Sequence, residues 1–477
     1  MAILAYTLLI INILIIIYNF SRYISFCKKQ HSDKKLNENS ACNTELSVII
    51  PCLREHDMIE DTIKYFIDIF PKQEELKTNF VIVTNKKERI EKQYAMEKVC
   101  NLLNDIKNNI DLDLLVERYG VLLPRSELQQ IMNHVLSSNY KDSDIYNYIK
   151  EYPVTHDFIK ALIAKNNYKI TLIEYPYEEG FMAHQLNYAV DFIQKKENIH
   201  DQAKRYIAIY NADSRPAKNT FYEFIEKVQN ENAPKVMQQY SAMTGNIEEL
   251  NPIMKGFAIY QTEFEIRNGY LNSYLPSKLL RNHVVGHGLF IESNFLKEIG
   301  GFNTDFWCED IYLSFYLRNL NVFPSPFQLL EKAMVPSYLK SQIHQHSTWF
   351  KTAFQPIKIA KYIKSRSKLN FSGYMFCFQQ LRSSLAWLIN PLFMFVYIFL
   401  SLIVLGKIYC CFATLILFIR YALEYFFTIK ITEKLSNEKI KNKFYLILCA
   451  IFATLISNWG PIHCLMHPKR KKEKTNL

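Results

Sequence analysis

Two long apolar stretches, Leu385–Leu405 and Ile408–Ile429, constrain this chain most, because each is long enough to cross a bilayer as a helix. A third opens the chain at Ile3–Ile17 and is closed by Tyr18, Phe20 and Tyr23, then by Arg22, Lys28 and Lys29. It has neither a basic stretch before it nor a small-residue cleavage site after it. It therefore reads as a retained membrane anchor over 1–24 rather than a signal peptide, with its basic flank on the cytoplasmic side. A fourth run, Phe444–Ser457, is short and meets Asn458-Trp-Gly-Pro461. If it crossed fully, the basic tail (466–477, with Lys469–Lys474) would end outside, so the expectation for 383–465 is two spans plus a re-entrant or interfacial segment. Inside the second span Arg420 and Glu424 stand four apart and are expected to pair.

Charge and cysteine usage narrow the partners. Net charge is +11 over 477 residues, from 57 basic and 46 acidic side chains. The excess gathers beside apolar segments, at Lys28–Lys35, Lys358–Lys368 and the tail, which suits membrane lipids and gives no reason to expect nucleic acid. The ten cysteines form no CxxC pair and no disulfide spacing, so reduced thiols are expected.

Residues His31–Thr44 are polar and read as a linker. Beyond it, Leu46-Ser-Val-Ile-Ile-Pro51, Phe80-Val-Ile-Val83, Ile170-Thr-Leu-Ile173 and Tyr206-Ile-Ala-Ile-Tyr210 are short β-branched runs separated by helical stretches. That alternation predicts an α/β fold with a mostly parallel sheet over 45–350. The stretch 96–165 has helical apolar spacing and reads as a helical insertion. The basic, amphipathic segment 351–382 suits a membrane surface.

In an open α/β sheet, ligands bind beyond the carboxyl ends of the strands. Pro51, Arg54 and Glu55 stand at the first such exit. Asn211 and Asp213 stand at the fourth, where a carboxylate can hold a divalent cation such as Mg²⁺ or Mn²⁺ beside a diphosphate. A turn ahead of Pro216 is the plain alternative for Asp213. Trp307-Cys-Glu309-Asp310 precedes an apolar stretch, so the two carboxylates are expected to open a helix. An ionised carboxylate there can accept a proton from an acceptor hydroxyl, or simply cap the helix. Gln345 and Trp349 offer an indole among hydrogen-bonding groups, as a sugar site needs, or a core tryptophan.

Taken in order, these pieces resemble the inverting family 2 glycosyltransferases of the GT-A fold over about residues 45–350, distantly including the cellulose and hyaluronan synthases. The resemblance implies that Pro51, Arg54, Glu55, Asn187, Asn211 and Asp213 bind a nucleotide-sugar donor, with the metal at Asp213. It implies Asp310, with Glu309, as the catalytic pair, Asp310 being the base. Gln345 and Trp349 fall at the ends of the QxxRW motif and, with Trp307 and His287, are assigned to the acceptor, a glycan or lipid-linked saccharide. Four departures stand out: Asn211 at the first DxD position, Met182 in place of a lysine, Thr84-Asn85 in place of an aspartate, and Thr348 in place of the QxxRW arginine. The last favours transfer of a single sugar over processive polysaccharide synthesis. A catalytically degenerate membrane scaffold is the other rival. His283, His287, His344 and His346 invite a zinc site, but Gly286 and Gly288 oppose a helix there and no HExxH is present. Structural roles, or a Gly-His-Gly turn facing the acceptor, are the expectation instead.

Overall fold

The structure, a computed structural model, describes residues 2–32, 44–120, 123, 125–137, 142–196, 203–230, 233–275 and 283–467. The expected linker and basic tail lie outside the described residues except at their edges.

The chain begins with a helix, α1 (Ala2–Ser32), that continues past the expected anchor boundary. Its basic flank docks on protein. Arg22 donates to the Arg267 carbonyl at 3.2 Å and to Asn272 Oδ1 at 2.9 Å, and Lys29 donates to the Tyr274 carbonyl at 2.6 Å.

The four β-branched runs are strands. β1 (Thr44–Pro51) is followed by α2 (Ile59–Ile69) and β2 (Lys77–Asn85). Then come α3 (Lys87–Glu97), α4 (Val99–Lys107), α5 (Leu112–Tyr119), α6 (Arg125–Leu136), α7 (Asp142–Glu151) and α8 (Thr155–Asn166) before β3 (Ile170–Tyr175). After α9 (Met182–Lys196) the chain forms β4 (Lys204–Ile209), α10 (Thr220–Asn230), β5 (Val236–Gln238) and β6 (Ser241–Ala242). Strands β3, β2, β1 and β4 are parallel neighbours, as their runs of buried Val and Ile require. Helices α2 and α10 cover one face with Ile63, Phe66, Phe221 and Phe224, and α9 covers the other with Leu186, Ala189 and Val190.

The insertion is the bundle α3–α7, closed on its own core of Leu102, Leu103, Ile106, Leu115, Leu128, Ile145 and Ile149. It starts before the expected residue 96, and α8 does not belong to it: Ile159 and Leu162 pack into the main core. The bundle is tied down by Glu88, which accepts from the Arg54 backbone N (3.2 Å) and from the Thr155 backbone N (2.8 Å).

The second half of the domain turns the sheet antiparallel. Helix α11 (Pro252–Phe264) leads through a π-helical turn, Glu265–Tyr270, into α12 (Leu271–Tyr274), β7 (Leu289–Glu292), α13 (Ser293–Glu298) and α14 (Glu309–Asn319). β8 (Ser325–Pro326) joins the sheet and β9 (Glu331–Lys332) pairs with β6. β7 runs against β4, with Leu289 opposite Ile209. Its entry loop therefore lies at the same edge as the carboxyl ends of β1 to β4.

Helices α15 (Leu339–Phe350) and α16 (Pro356–Arg366) lead to α17 (Phe371–Leu405), α18 (Lys407–Ser436), α19 (Lys443–Ile456) and α20 (Trp459–Met466). Four stretches are long and apolar enough to cross a membrane: Ile3–Lys29, Phe371–Leu405, Lys407–Ser436 and Lys443–Met466. The last differs from the short re-entrant segment expected, because helix resumes after a turn at Ser457-Asn458. That turn is held by Trp387 Nε1 on the Ser457 carbonyl (3.0 Å) and Asn458 Nδ2 on the Leu388 carbonyl (3.1 Å). Helix α19 packs backbone-close on α11, where a Cβ at Gly256 would overlap the Cys449 carbonyl.

Two further expectations are corrected. Arg420 and Glu424 do not form the expected pair: Arg420 donates to Asn12 Oδ1 (2.7 Å), and Glu424 meets Arg267 Nε at 3.2 Å. The apolar face of α16 is largely covered by protein, with Ile357 left exposed. Ile359 and Ile363 pack on Ile311 and Phe315 of α14 and Phe376 of α17. All cysteines among the described residues are free thiols.

Candidate active site

At the exit of β4 the chain turns sharply through Asn211–Ser214, the Asn211 N–H donating to Ser214 Oγ at 3.0 Å. Thr62 of α2 caps the Ala212 carbonyl and accepts from Arg215 Nη1 (2.8 Å), so the turn is braced from below. Asp213 projects from it, partly buried. Burial lifts the Asp213 carboxyl above its ordinary value, and the charge of His287 pulls it back.

His287 reaches this place because β7 is antiparallel. The Gly286-His287-Gly288 turn is no helix, as the glycines imply. Gly288 has φ +63°, and a Cβ there would strike the Gln239 carbonyl, so only glycine fits. His287 Nδ1 lies 3.0 Å from the buried Glu331 Oε2. Burial works against a charged imidazole, but the charge and hydrogen bond of Glu331 outweigh it, with Glu265 and Asp213 adding, and raise His287 to about 9. A group raised from 6.5 to about 9 on folding stabilises fully below about pH 6.5, and that stabilisation is lost as pH rises through 9. We expect unfolding stability in detergent to fall by roughly 2–3 kcal/mol across that window, and His287→Gln to flatten the slope. A slope unchanged in the variant would assign the effect elsewhere.

The carboxylate pair arrives from the other side. Helix α14 opens at Glu309, as the sequence predicts, and Asp310 sits in its first turn. Ser314 ties this helix to the β7 entry loop: its Oγ accepts from the Val284 N–H (3.0 Å) and donates to the Asp310 carbonyl (2.7 Å). A Cβ on Gly286 would come within 3.4 Å of Glu309 Oε1. One turn, residues 286–288, thus lies within electrostatic reach of Asp213 through His287 and close to Glu309, at the start of α14, through Gly286. Trp307 stands beside them, edge-on to Phe181 at 5.5 Å, with Lys351 Nζ 5.0 Å over its ring.

Other expected site residues make the following contacts within the chain. Arg54, at φ +59°, is ion-paired with Glu91 of the insertion. Glu55 follows it, its N–H donating to Thr155 Oγ1 at 2.9 Å, and Pro51 closes β1. Thr84 Oγ1 meets His156 Nδ1 at 2.8 Å, so α8 occupies the β2 exit where the resemblance places an aspartate. Asn187 clamps the Gly301-Phe302 turn, donating to the Phe302 carbonyl (2.7 Å) and accepting from its N–H (2.8 Å). It shapes the approach to Trp307 and the carboxylates. Gln345 lies against Gln342 at 3.5 Å, and the Trp349 indole is 42% exposed on the same helix. Between them His346 is buried. Burial lowers it to about 3, and its Nε2 lies 2.8 Å from the Gln261 amide and 2.7 Å from the Gln342 amide. Glu331, Phe181 and Lys351 had no sequence signal, since each matters only through a partner distant in the chain.

No family model matches the chain, and no curated protein matches it by sequence. Among solved structures it is similar to a mannosyltransferase from Pyrobaculum calidifontis in complex with GDP-Man and Mn²⁺. Identity is 14%, the match covers 93% of this chain and 97% of that one, and the TM-score is 0.44.

Proposed function

We propose that this chain is a membrane-attached, inverting glycosyltransferase that moves one sugar from a nucleotide-sugar donor to a glycan or lipid-linked acceptor. The observation that supports this reading is the 286–288 turn, whose His287 acts electrostatically on Asp213 at a parallel-strand exit and whose Gly286 lies close to Glu309 of the helix-opening carboxylate pair. The first suits a diphosphate and its counter-ion; the second suits a hydroxyl that must lose a proton.

In this reading the acceptor oxygen forms a bond to the anomeric carbon while the bond to the diphosphate breaks on the opposite face, and the hydroxyl proton passes to Asp310. Configuration inverts. Glu309 sets the field around Asp310. Trp307 gives the sugar an apolar face, and Asn187 holds the turn that leads to it. Gln345 and Trp349 line the acceptor approach. Positioning supplies most of the acceleration.

Among the described residues no group of three or more His, Cys, Asp or Glu is set to hold a metal ion. A caged site is therefore not the fit. One hard carboxylate, Asp213, beside the neutral Asn211 fits a Mg²⁺ or Mn²⁺ whose remaining ligands are donor phosphates and water. Bound there, the cation would neutralise charge on the departing diphosphate. The four candidate spans support a reaction at a membrane, and the positive-inside bias favours the cytoplasmic side.

The test is a panel of nucleotide sugars offered with Mn²⁺ to the detergent-purified full chain, with nucleoside diphosphate release measured. Turnover with one donor supports the reading. Absence of turnover with every donor points to the non-enzymatic scaffold.

A further inference from the structure

Residues 351–370 carry Lys351, Lys358, Lys361, Lys364, Arg366 and Lys368 and no acidic side chain. The apolar side of α16 is largely covered by the protein core, as described above. Its exposed side carries Lys358, Lys361, Lys364 and Arg366, with Ile357 the one exposed apolar residue. Four residues after α16 ends, a candidate membrane span begins at Phe371. Its first turns expose Phe371, Tyr374 and Phe378, the aromatic girdle expected where a span leaves the bilayer. A cationic face fixed that close to a span suits anionic lipid headgroups, each lysine or arginine gaining about 1 kcal/mol at such a surface.

The inner side of α16 grips the loop that carries the catalytic candidates. Tyr362 donates to Asp305 Oδ2 at 2.7 Å and accepts from Asn303 Nδ2 at 3.3 Å. Its ring lies edge-on to Phe306 at 5.2 Å and to Tyr312 of α14 at 5.8 Å. The outward Arg366 stacks its guanidinium over the same ring at 4.1 Å. A short physical chain thus runs from an exposed cation, Arg366, through Tyr362 to Asn303, Asp305 and Phe306, the residues just before Trp307 and Glu309-Asp310.

We propose that the cationic face of α16 binds an anionic lipid surface and, through Arg366 and Tyr362, holds the 303–310 loop in its working position. Lipid charge then regulates the site, and Tyr362 is a positioning residue. The proposal rests on the glycosyltransferase reading only for its effect on turnover; its structural half stands apart.

The experiment uses the full chain in nanodiscs of phosphatidylcholine alone or with phosphatidylglycerol, and reads hydrogen exchange of the 303–310 segment. We expect exchange about fivefold slower with phosphatidylglycerol, a stabilisation of roughly 1 kcal/mol, matching one cation at the surface. The triple variant Lys358→Gln/Lys361→Gln/Lys364→Gln loses this response. Tyr362→Phe keeps the slowed exchange of α16 itself but loses it at 303–310. Equal exchange in both lipids, or a response that survives the triple variant, overturns the proposal. Where a donor turns over, the lipid effect falls on kcat rather than on donor KM. A lipid response in exchange without any turnover refutes the enzyme reading and leaves the lipid coupling standing.

Discussion

Asp310→Asn is expected to lower sugar transfer by about 10²–10⁴-fold, the contribution of a general base, while donor binding stays within about twofold. The amide keeps the size of the carboxylate and can still accept from the Ile311 N–H, which Asp310 Oδ1 does at 2.8 Å. It cannot take a proton. Helix α14 should persist, since Ser314 binds the Asp310 carbonyl and the Val284 backbone rather than the carboxylate. The separation between catalysis and folding is therefore clean: kcat falls, and the unfolding midpoint does not. A variant that retains full turnover would remove Asp310 from the chemistry and return the Glu309-Asp310 pair to helix capping.

The second large effect concerns how the candidate membrane spans hold the α/β domain. Arg267, in the π-helical turn, is ion-paired with Glu263 of α11 and with Glu424 of α18. Both carboxylates are buried, and the Arg267 carbonyl accepts from Arg22 of α1. Arg267→Gln removes the cation beside two buried anions; with the Arg267 side chain 43% exposed, the cost should be roughly 2–3 kcal/mol, below that of a fully buried pair and above that of an exposed one. The expected sign is a lowered unfolding midpoint in detergent. Adding Glu424→Gln to Arg267→Gln should recover part of the loss, because one of the stranded charges is gone. If the single variant unfolds like the parent, the cluster does not anchor the domain.

The parts legible in the sequence were those decided by local physics. A β-branched run stopped by Pro51 can hardly be anything but a buried strand, and the same holds for Tyr206–Tyr210, which delivers Asp213 to the sheet edge. The Glu309-Asp310 helix start was legible because acidic residues before an apolar stretch favour an N-terminus. The parts that were hidden depend on partners far along the chain. β5, β8 and β9 have three residues or fewer and no period to detect. The antiparallel β7, which swings His287 toward Asp213, leaves no trace in its own four residues. Arg54 and Asn187 stand where the resemblance puts donor contacts, yet Glu91 and the Gly301-Phe302 backbone claim their side chains. Arg420 and Glu424 obey the helical spacing for a pair, but Asn12 and Arg267 lie nearer. The amphipathic pattern of α16 was real, although an apolar stripe alone cannot say whether protein or lipid will cover it.

The central claim is that Asp213 and the α14 carboxylates face one diphosphate-sugar site across the 286–288 turn. Its most direct test is nucleoside diphosphate binding by calorimetry, with Mn²⁺ present, to the parent chain, to Asp213→Asn and to Asp310→Asn. The account predicts that Asp213→Asn weakens binding by about 10-fold or more, as loss of a metal-bridged contact requires, while Asp310→Asn leaves it unchanged. Equal affinity in the parent and Asp213→Asn, or no binding to the parent at all, would contradict it.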